Sequence, residues 1–368
     1  MNDQYYMQLA IDMAQRTKGQ TSPNPIVGAV VVNNGRIVGL GTHLKAGEPH
    51  AEIHALNMAG EMAKGSTLYV TLEPCSHYGK TPPCAERIIK EKVKRVVISN
   101  VDPNPLVAGK GIELMKNAGI EVVVGVLEKE AKRLNETFYK YITSQRPFVT
   151  VKTAMTLDGK IATFTGNSQW ITGEKARRYV HQLRHEHDAI MVGIGTVLKD
   201  NPSLTVRMEQ LGIQPIRVVI DTTLKIPMDS KLILDQQAPT WIFTTEQASE
   251  EKVEKLKDMG IKVVQTKGDK DVPLKEVLHY LGRNQITSVL VEGGSSLVGR
   301  LFDERLIDKY IAFIAPKLIG GSSSLTSIGG KGIENMSDAV QLIDITIERY
   351  ENDICITGYP SYQGMEEK

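Results

Sequence analysis

Apolar positions along this chain alternate between two rhythms. Tyr6, Leu9, Ala10, Met13 and Ala14 stand three or four apart, which predicts a helix over residues 4–17. Ile26-Val27-Gly28-Ala29-Val30-Val31-Val32 is a continuous apolar run of strand length. Asn33-Asn34-Gly35 is a tight-turn signal into a second strand, Arg36 to Gly41. Further strands are expected at Thr67–Leu72, Arg95–Ser99 and Glu121–Val126. Between them fall a helix opened by Pro49, one over Cys84–Glu91, one near 111–118, and a long amphipathic helix, Lys129–Ile142. Alternation of this kind builds an α/β domain of three layers. Gln145-Arg146-Pro147 is the expected boundary, which sets domains over residues 1–146 and 147–368.

The second half opens on a β-branched strand, Pro147–Ala154, and Met155–Ala162 turns and continues it. Arg177–Glu186 has a helical spacing rich in charge. Its histidines, with His181, His185 and His187 close together, read as a solvated helix face, because no cysteine or acid is spaced to complete a metal site. Two apolar strands end in glycines and hydroxyl residues, at Gly193-Ile194-Gly195-Thr196 and at Gly293-Gly294-Ser295-Ser296. Such a junction lets backbone approach a phosphate at a helix N-terminus. Gly193-Ile194-Gly195 lacks the third glycine of the Rossmann fingerprint, but two such junctions in one half favour a dinucleotide. Asp221, after the strand Arg217–Ile220, is placed either to reach a ribose or to cap the next segment. Residues 250–276 read as a solvated helix and connection.

Composition narrows the picture. At 368 residues, two or three domains are expected. Lys+Arg 44 against Asp+Glu 43 leaves a net charge of +1, so no basic field points to nucleic acid. Met1-Asn2-Asp3-Gln4 lacks a basic-then-apolar leader, and no apolar run is long enough to span a bilayer. Only three cysteines occur, and Cys355 sits in alternating strand-like sequence as buried packing, so a reducing, cytoplasmic setting is expected.

The chemistry concentrates between Pro49 and Cys84. His50, Cys75 and Cys84 supply one imidazole and two thiols, and Glu52 adds a carboxylate. Three protein ligands with a fourth position open to water make a catalytic zinc site, whereas a closed structural site takes four. The pattern H-x-E…P-C-x-x-C marks zinc nucleobase deaminases, with the Glu a proton carrier and no ligand. Here eight residues separate the cysteines where that pattern has two. Residues two apart diverge in mid-helix, so His50 and Glu52 converge only near a helix start, which Pro49 is suited to open. Glu52 would accept a proton from the zinc-activated water, pass it to a ring nitrogen, and later protonate departing ammonia. His54 stands four after His50, but the Glu is one place too late for H-E-x-x-H, and a packed or solvated histidine is the expectation.

The run Thr71-Leu72-Glu73-Pro74-Cys75-Ser76-His77-Tyr78-Gly79-Lys80-Thr81-Pro82-Pro83-Cys84 resembles the zinc loop of the bifunctional riboflavin-biosynthesis deaminase/reductase (RibD/RibG) family. The likeness extends through Pro23–Ala29, Asp102–Gly109 and the second half. It implies a cytidine-deaminase-like α/β/α domain followed by a dihydrofolate-reductase-like α/β domain. The implied cofactors are zinc and NADPH, and the implied substrate is a diaminopyrimidinone ribosyl phosphate.

By the same resemblance Asn24, His43, His77, Lys80, Asp102 and Asn104 would line the deaminase pocket. Ala154, Trp170, Thr196, Asp200, Thr222 and the run Gly294, Ser295, Ser296, Leu297, Val298, Gly299 and Arg300 would hold the cofactor. Ser168, Arg184, Leu204, Arg207 and Glu292 would hold the reductase substrate, the two guanidiniums being suited to a sugar phosphate. No general acid for the reduction stands out. A homo-oligomer without nucleic-acid or membrane partners is expected. The alternatives are a nucleic-acid (cytidine/adenosine) deaminase with an accessory domain, and a zinc-stabilised binding protein. Near-zero charge opposes the first, and a free Glu52 opposes the second.

Overall fold

The computed structural model describes residues 2–78, 82–105, 107–208 and 212–362. It divides into two compact units, Met1–Arg146 and Pro147–Lys368.

In the first unit the described elements run α1 (Asp3–Gln15), β1 (Gly28–Asn33), β2 (Arg36–Thr42), α2 (Ala51–Ala59), β3 (Thr67–Leu72), α3 (Cys84–Lys90), β4 (Arg95–Asn100), α4 (Lys110–Asn117), β5 (Glu121–Val124), α5 (Glu128–Leu134) and α6 (Glu136–Ser144). The sheet order is β2-β1-β3-β4-β5, antiparallel across its first three strands and parallel thereafter. Alternation along the strands separates two cores. Ala29, Val31, Leu68, Val70, Val96 and Ile98 pack beneath α2, α3 and α4, while Val30, Val32, Tyr69 and Val97 meet α1 and α5 on the other face.

Small residues bring α2 close to the sheet. A Cβ on Gly39 or Gly41 would lie 2.0 or 2.1 Å from the carbonyl oxygens of Ala55 and Ala51, so only glycine admits this approach. The expected helix Lys129–Ile142 is two helices. Asn135 interrupts it, because its side chain exchanges both hydrogen bonds with the Ile26 backbone, at 2.7 and 2.8 Å.

The second unit runs β6 (Phe148–Thr156), α7 (Glu174–His185), β7 (Ala189–Gly193), α8 (Ile194–Asp200), β8 (Ile216–Ile220), α9 (Lys231–Leu234), β9 (Thr240–Thr245), α10 (Glu250–Asp258), β10 (Lys262–Thr266), α11 (Leu274–Arg283), β11 (Ser288–Val291), α12 (Ser295–Asp303), β12 (Lys309–Ala315), β13 (Gln341–Tyr350) and β14 (Asp353–Ser361). Its sheet order is β10-β9-β8-β7-β11-β6-β12-β14-β13, parallel from β10 to β12 and antiparallel at the β12, β14 and β13 end. Strand β10 lies inside the stretch expected to be a helix and connection. Beyond β6, the stretch from Leu157 turns through Asp158 and Gly159 rather than continuing as strand.

The strand order makes a crevice. Ile190 and Val192 of β7 share a core with Val197 of α8 and with α10, whereas Ala189 and Met191 share the opposite core with Leu297, Val298 and Leu301 of α12. Adjacent strands β7 and β11 therefore send their following helices to opposite faces. In open α/β sheets ligands bind beyond the carboxyl ends of the strands at such a switch point.

Candidate active sites

His50 is the N-cap of α2, Cys75 lies just beyond β3, and Cys84 opens α3 behind Pro83. The His50 Nδ1 stands 3.6 Å from Cys75 Sγ and 3.3 Å from Cys84 Sγ, and all three donor atoms fall within 4.8 Å of one another. A tetrahedral zinc with ordinary Zn–S and Zn–N bonds sets N and S ligand atoms about 3.5 Å apart. The donor set and its spacing fit zinc. The Cys75 thiol is held well below its ordinary value, first by its hydrogen bond with Cys84 and also by His50, while Cys84 is pushed up by the same contact and by burial. Metal ligation requires both thiols to be deprotonated. The Cys84 N–H also donates to Cys75 Sγ at 3.3 Å, as expected for thiolate at a helix start.

Glu52, in the first turn of α2, is buried and stands outside the three-ligand set. Burial pushes its carboxyl up to about 7, against the opposing pull of His50. A carboxyl of that kind exchanges protons near neutrality. His54 lies outside the metal cluster and is half-buried.

The remaining deaminase residues are placed unevenly. His43 is buried, its Nδ1 3.3 Å from the Pro49 carbonyl and its Nε2 3.1 Å from Asn24 Nδ2. A carbonyl only accepts, so Nδ1 carries the proton and Nε2 accepts from the Asn24 amide. Its ring also meets the His50 ring edge-on, with centroids 5.3 Å apart. Asp102 accepts from the Asn104 N–H at 2.8 Å, and burial raises its carboxyl. His77 is exposed, and Lys80 lies outside the described residues.

In the second unit the two glycine junctions meet at the crevice. Gly293 and Gly294 both have positive φ, 111° and 76°, and an added Cβ would approach Thr196 Oγ1 to 3.3 and 3.5 Å. Nothing lies within 4 Å of a Cβ built on Gly195. A backbone cradle that side chains would fill, beside a hydroxyl and the first turn of α12, fits a dinucleotide phosphate. Within the run 294–300, Leu297 and Val298 enter the core and the Arg300 guanidinium donates to the Val272 carbonyl at 2.6 Å. Its first-turn N–H groups are therefore what α12 offers a ligand. Asp221 is buried and accepts from the Lys225 and Ile226 N–H groups, both at 2.8 Å, so it caps its own turn rather than meeting a ribose. Trp170 is exposed with the Arg177 guanidinium 4.7 Å from its ring centroid, and Ala154, Ser168 and Thr222 are half-buried, while Asp200 is exposed at the end of α8.

Glu292, directly after β11, is fully engaged. Arg184 binds it through Nε at 2.5 Å and Nη2 at 3.0 Å, and Lys152 Nζ lies 3.1 Å away. Burial alone would raise this carboxyl, but the two cations outweigh it and hold it below the usual range. Lys152 was missed by sequence reading, although a lysine inside the apolar strand Phe148-Val149-Thr150-Val151 onward was the available signal.

The α7 histidines do not form a solvated face. His181 and His185 accept from the Arg207 and Ile213 N–H groups, each at 3.2 Å, and His187 bridges Leu183 O and Thr150 Oγ1. His181 and His185 secure the segment that carries Leu204 and Arg207, while His187, beyond the end of α7, ties that helix to β6. Burial, then the charges of Arg184 and Arg207, lowers His181 to about 4, so its ring stays a neutral acceptor. The stability this lends is complete above the ordinary value of 6.5 and is lost as pH falls toward 4. Arg207 itself is exposed, and Leu204 is buried.

Residues 1–100 match the family model for the cytidine and deoxycytidylate deaminase zinc-binding region, and residues 147–356 match that for the RibD C-terminal domain. The riboflavin biosynthesis protein RibD of Aquifex aeolicus is 48% identical, covering 96% of this chain and 97% of that one. RibD of Bacillus amyloliquefaciens is 49% identical over 97% of this chain and 96% of its own. Among solved structures, Acinetobacter baumannii RibD superposes with a TM-score of 0.88 at 39% identity, covering 98% of this chain and 99% of that one. A diaminohydroxyphosphoribosylaminopyrimidine deaminase/5-amino-6-(5-phosphoribosylamino)uracil reductase from Thermotoga maritima gives 0.84 at 38% identity, with the same coverage. The first unit is thus cytidine-deaminase-like and the second has the dihydrofolate-reductase-like RibD fold. The chain belongs to the RibD family, the bifunctional deaminase/reductases of riboflavin biosynthesis that use zinc and NADPH.

Proposed function

We propose that residues 1–146 deaminate a diaminopyrimidinone ribosyl phosphate and that residues 147–368 reduce its ribosyl group to ribityl, giving 5-amino-6-ribitylaminouracil phosphate. The observation that carries the first half is the three-donor cluster of His50, Cys75 and Cys84 with the buried, non-ligating Glu52 beside it. Zinc held there supplies a water acidified toward neutrality. Glu52 takes one proton of that water and delivers it to the ring nitrogen as the C–O bond forms, then takes the second proton from the new hydroxyl and delivers it to the amine. The C–N bond breaks in that second step, leaving the carbonyl and releasing ammonia. Asn24, His77, Lys80, Asp102 and Asn104 contact the base and sugar phosphate, and His43 fixes the Asn24 amide from behind.

In the second half NADPH supplies the hydride to the sugar carbon. Thr196, the Gly293-Gly294 backbone and the first turn of α12 (Ser295, Ser296, Leu297) receive its phosphates, while Ala154, Trp170, Asp200 and Thr222 complete the cofactor cleft. Ser168, Leu204 and Arg207 orient the substrate. Arg184 acts with Glu292, since three of its N–H groups are engaged by Glu292 and the Thr205 carbonyl. A cytoplasmic location suits three free thiols.

Among the described residues no helix is long and apolar enough to cross a membrane. We further propose a homo-oligomer assembled through β13. This strand ends the nine-stranded sheet and exposes Ile343, Ile345 and Ile347, at 49%, 54% and 68%. An exposed edge strand with an apolar face is a template on which another chain can pair. The enzymatic reading is tested by incubating the purified protein with the diaminopyrimidinone nucleotide, with and without NADPH, and identifying products by mass. A deaminated product without NADPH, and its ribityl form with it, are expected. Recovery of unchanged substrate from zinc-loaded protein would remove the reading.

A further inference from the structure

Glu73 stands two residues before the ligand Cys75 and is buried, yet it is not part of the metal cluster. Its carboxylate gathers four backbone N–H groups. Oε2 accepts from Asp102 at 3.2 Å and Gly109 at 3.0 Å, and Oε1 accepts from Gly111 at 3.0 Å and Ile112 at 3.2 Å. Gly109 is the N-cap of α4, and Gly111 and Ile112 lie in its first turn. These donors have no intrahelical partner, and a carboxylate there also meets the positive end of the helix dipole. Contact is close on the neighbouring residue as well. A Cβ on Gly111 would lie 2.1 Å from the Pro74 carbonyl oxygen, so the start of α4 is seated directly on the chain entering the metal site.

The same network reaches the proposed pocket. The Asp102 N–H binds Glu73, the Asp102 carboxylate holds the Asn104 N–H, and the Asn104 carbonyl accepts from Val107 and Ala108 at 2.8 and 2.9 Å. We propose that Glu73 is a positioning residue of the deaminase. Its carboxylate sets where Asp102 and Asn104 stand relative to the metal ligand Cys75. This rests on the reading of Asp102 and Asn104 as substrate contacts.

The test uses the full chain carrying Glu73→Gln. The amide keeps the shape, but one of its two edges donates, so two of the four N–H groups lose their acceptor. The expected result is a KM for the diaminopyrimidinone nucleotide raised by about tenfold or more, a smaller change in kcat, one zinc per chain, and unchanged reduction of already deaminated substrate. An unmoved KM, or a loss of zinc that by itself accounts for the lost deamination, overturns the inference. If the Gln protein does not fold, Glu73→Asp decides. It keeps four acceptor sites on a shorter arm, and a raised KM at full zinc supports the role while a wild-type KM overturns it. Asn104→Ala is assayed alongside. Its unchanged KM would remove the pocket reading and the inference with it, whereas a raised KM there beside a normal one in Glu73→Gln overturns the positioning role alone.

Discussion

Arg217 on β8 is 1% exposed and spends all five of its N–H donors inside the second unit. Nε binds Thr240 Oγ1 at 2.9 Å, Nη1 binds Asp235 at 2.6 Å and the Ser203 carbonyl at 3.3 Å, and Nη2 binds the Leu232 and Ala238 carbonyls at 3.0 and 2.7 Å. A buried guanidinium persists only when paired and saturated in this way. Arg217→Met takes the guanidinium from Asp235 and three carbonyls, of which Asp235 keeps only the Gln237 N–H and Leu232 only the Thr240 hydroxyl, so it should lower the stability of this unit by about 3–5 kcal/mol. Urea unfolding followed by tryptophan fluorescence reads the effect, because both tryptophans, Trp170 and Trp241, belong to residues 147–368. A loss under about 1 kcal/mol, within the range of an exposed pair, would contradict this account. Arg217 is not legible as buried in the sequence, since a basic residue in a strand reads as facing solvent. His50, Cys75 and Cys84 stand out in the sequence because few residue types bind zinc and only three cysteines are present.

At the scale of elements, periodicity revealed most strands and helices and failed where a single side chain overrode it. Lys129–Ile142 keeps one amphipathic rhythm, but Asn135 breaks the helix to satisfy the Ile26 backbone, a tertiary demand that no local pattern carries. Strand β10 hides because Lys262-Val263-Val264-Gln265-Thr266 is short and flanked by charged sequence. The glycine junctions were visible as motifs, but their convergence needs the sheet order that sets β7 beside β11.

Gly195→Val tests that convergence. Gly294 has positive φ, so a substitution there is strained whether or not cofactor binds. Gly195 is the cleaner site, because nothing lies within 4 Å of an added Cβ. The variant should bind NADPH about tenfold or more weakly, at an unaltered melting temperature. Unchanged affinity by fluorescence titration would mean that the dinucleotide lies elsewhere.

At the scale of the whole molecule, the exposed isoleucines of β13 and the assignment of each activity to one unit make separate demands. Ile347→Lys places a charge on the most exposed of the three isoleucines, where an edge strand that is covered in the assembly cannot accept it. Light scattering should then show a smaller mass than wild type, with both activities assayed in the same sample. An unchanged mass would place the interface elsewhere or show that the wild type is a monomer.

The central claim is that a zinc centre with a non-ligating Glu52 deaminates, and that reduction belongs to a different site on the same chain. Glu52→Gln tests it most directly, because an amide keeps the geometry of the carboxyl but accepts no proton from water. Ammonia release and NADPH oxidation are measured on one preparation, together with its zinc content. The expected result is no ammonia from the diaminopyrimidinone nucleotide, one zinc per chain, and near-normal NADPH oxidation with already deaminated substrate. A folded Glu52→Gln protein that has lost both activities would contradict the account, pointing to one composite site. Full ammonia release would show that Glu52 is not the proton carrier.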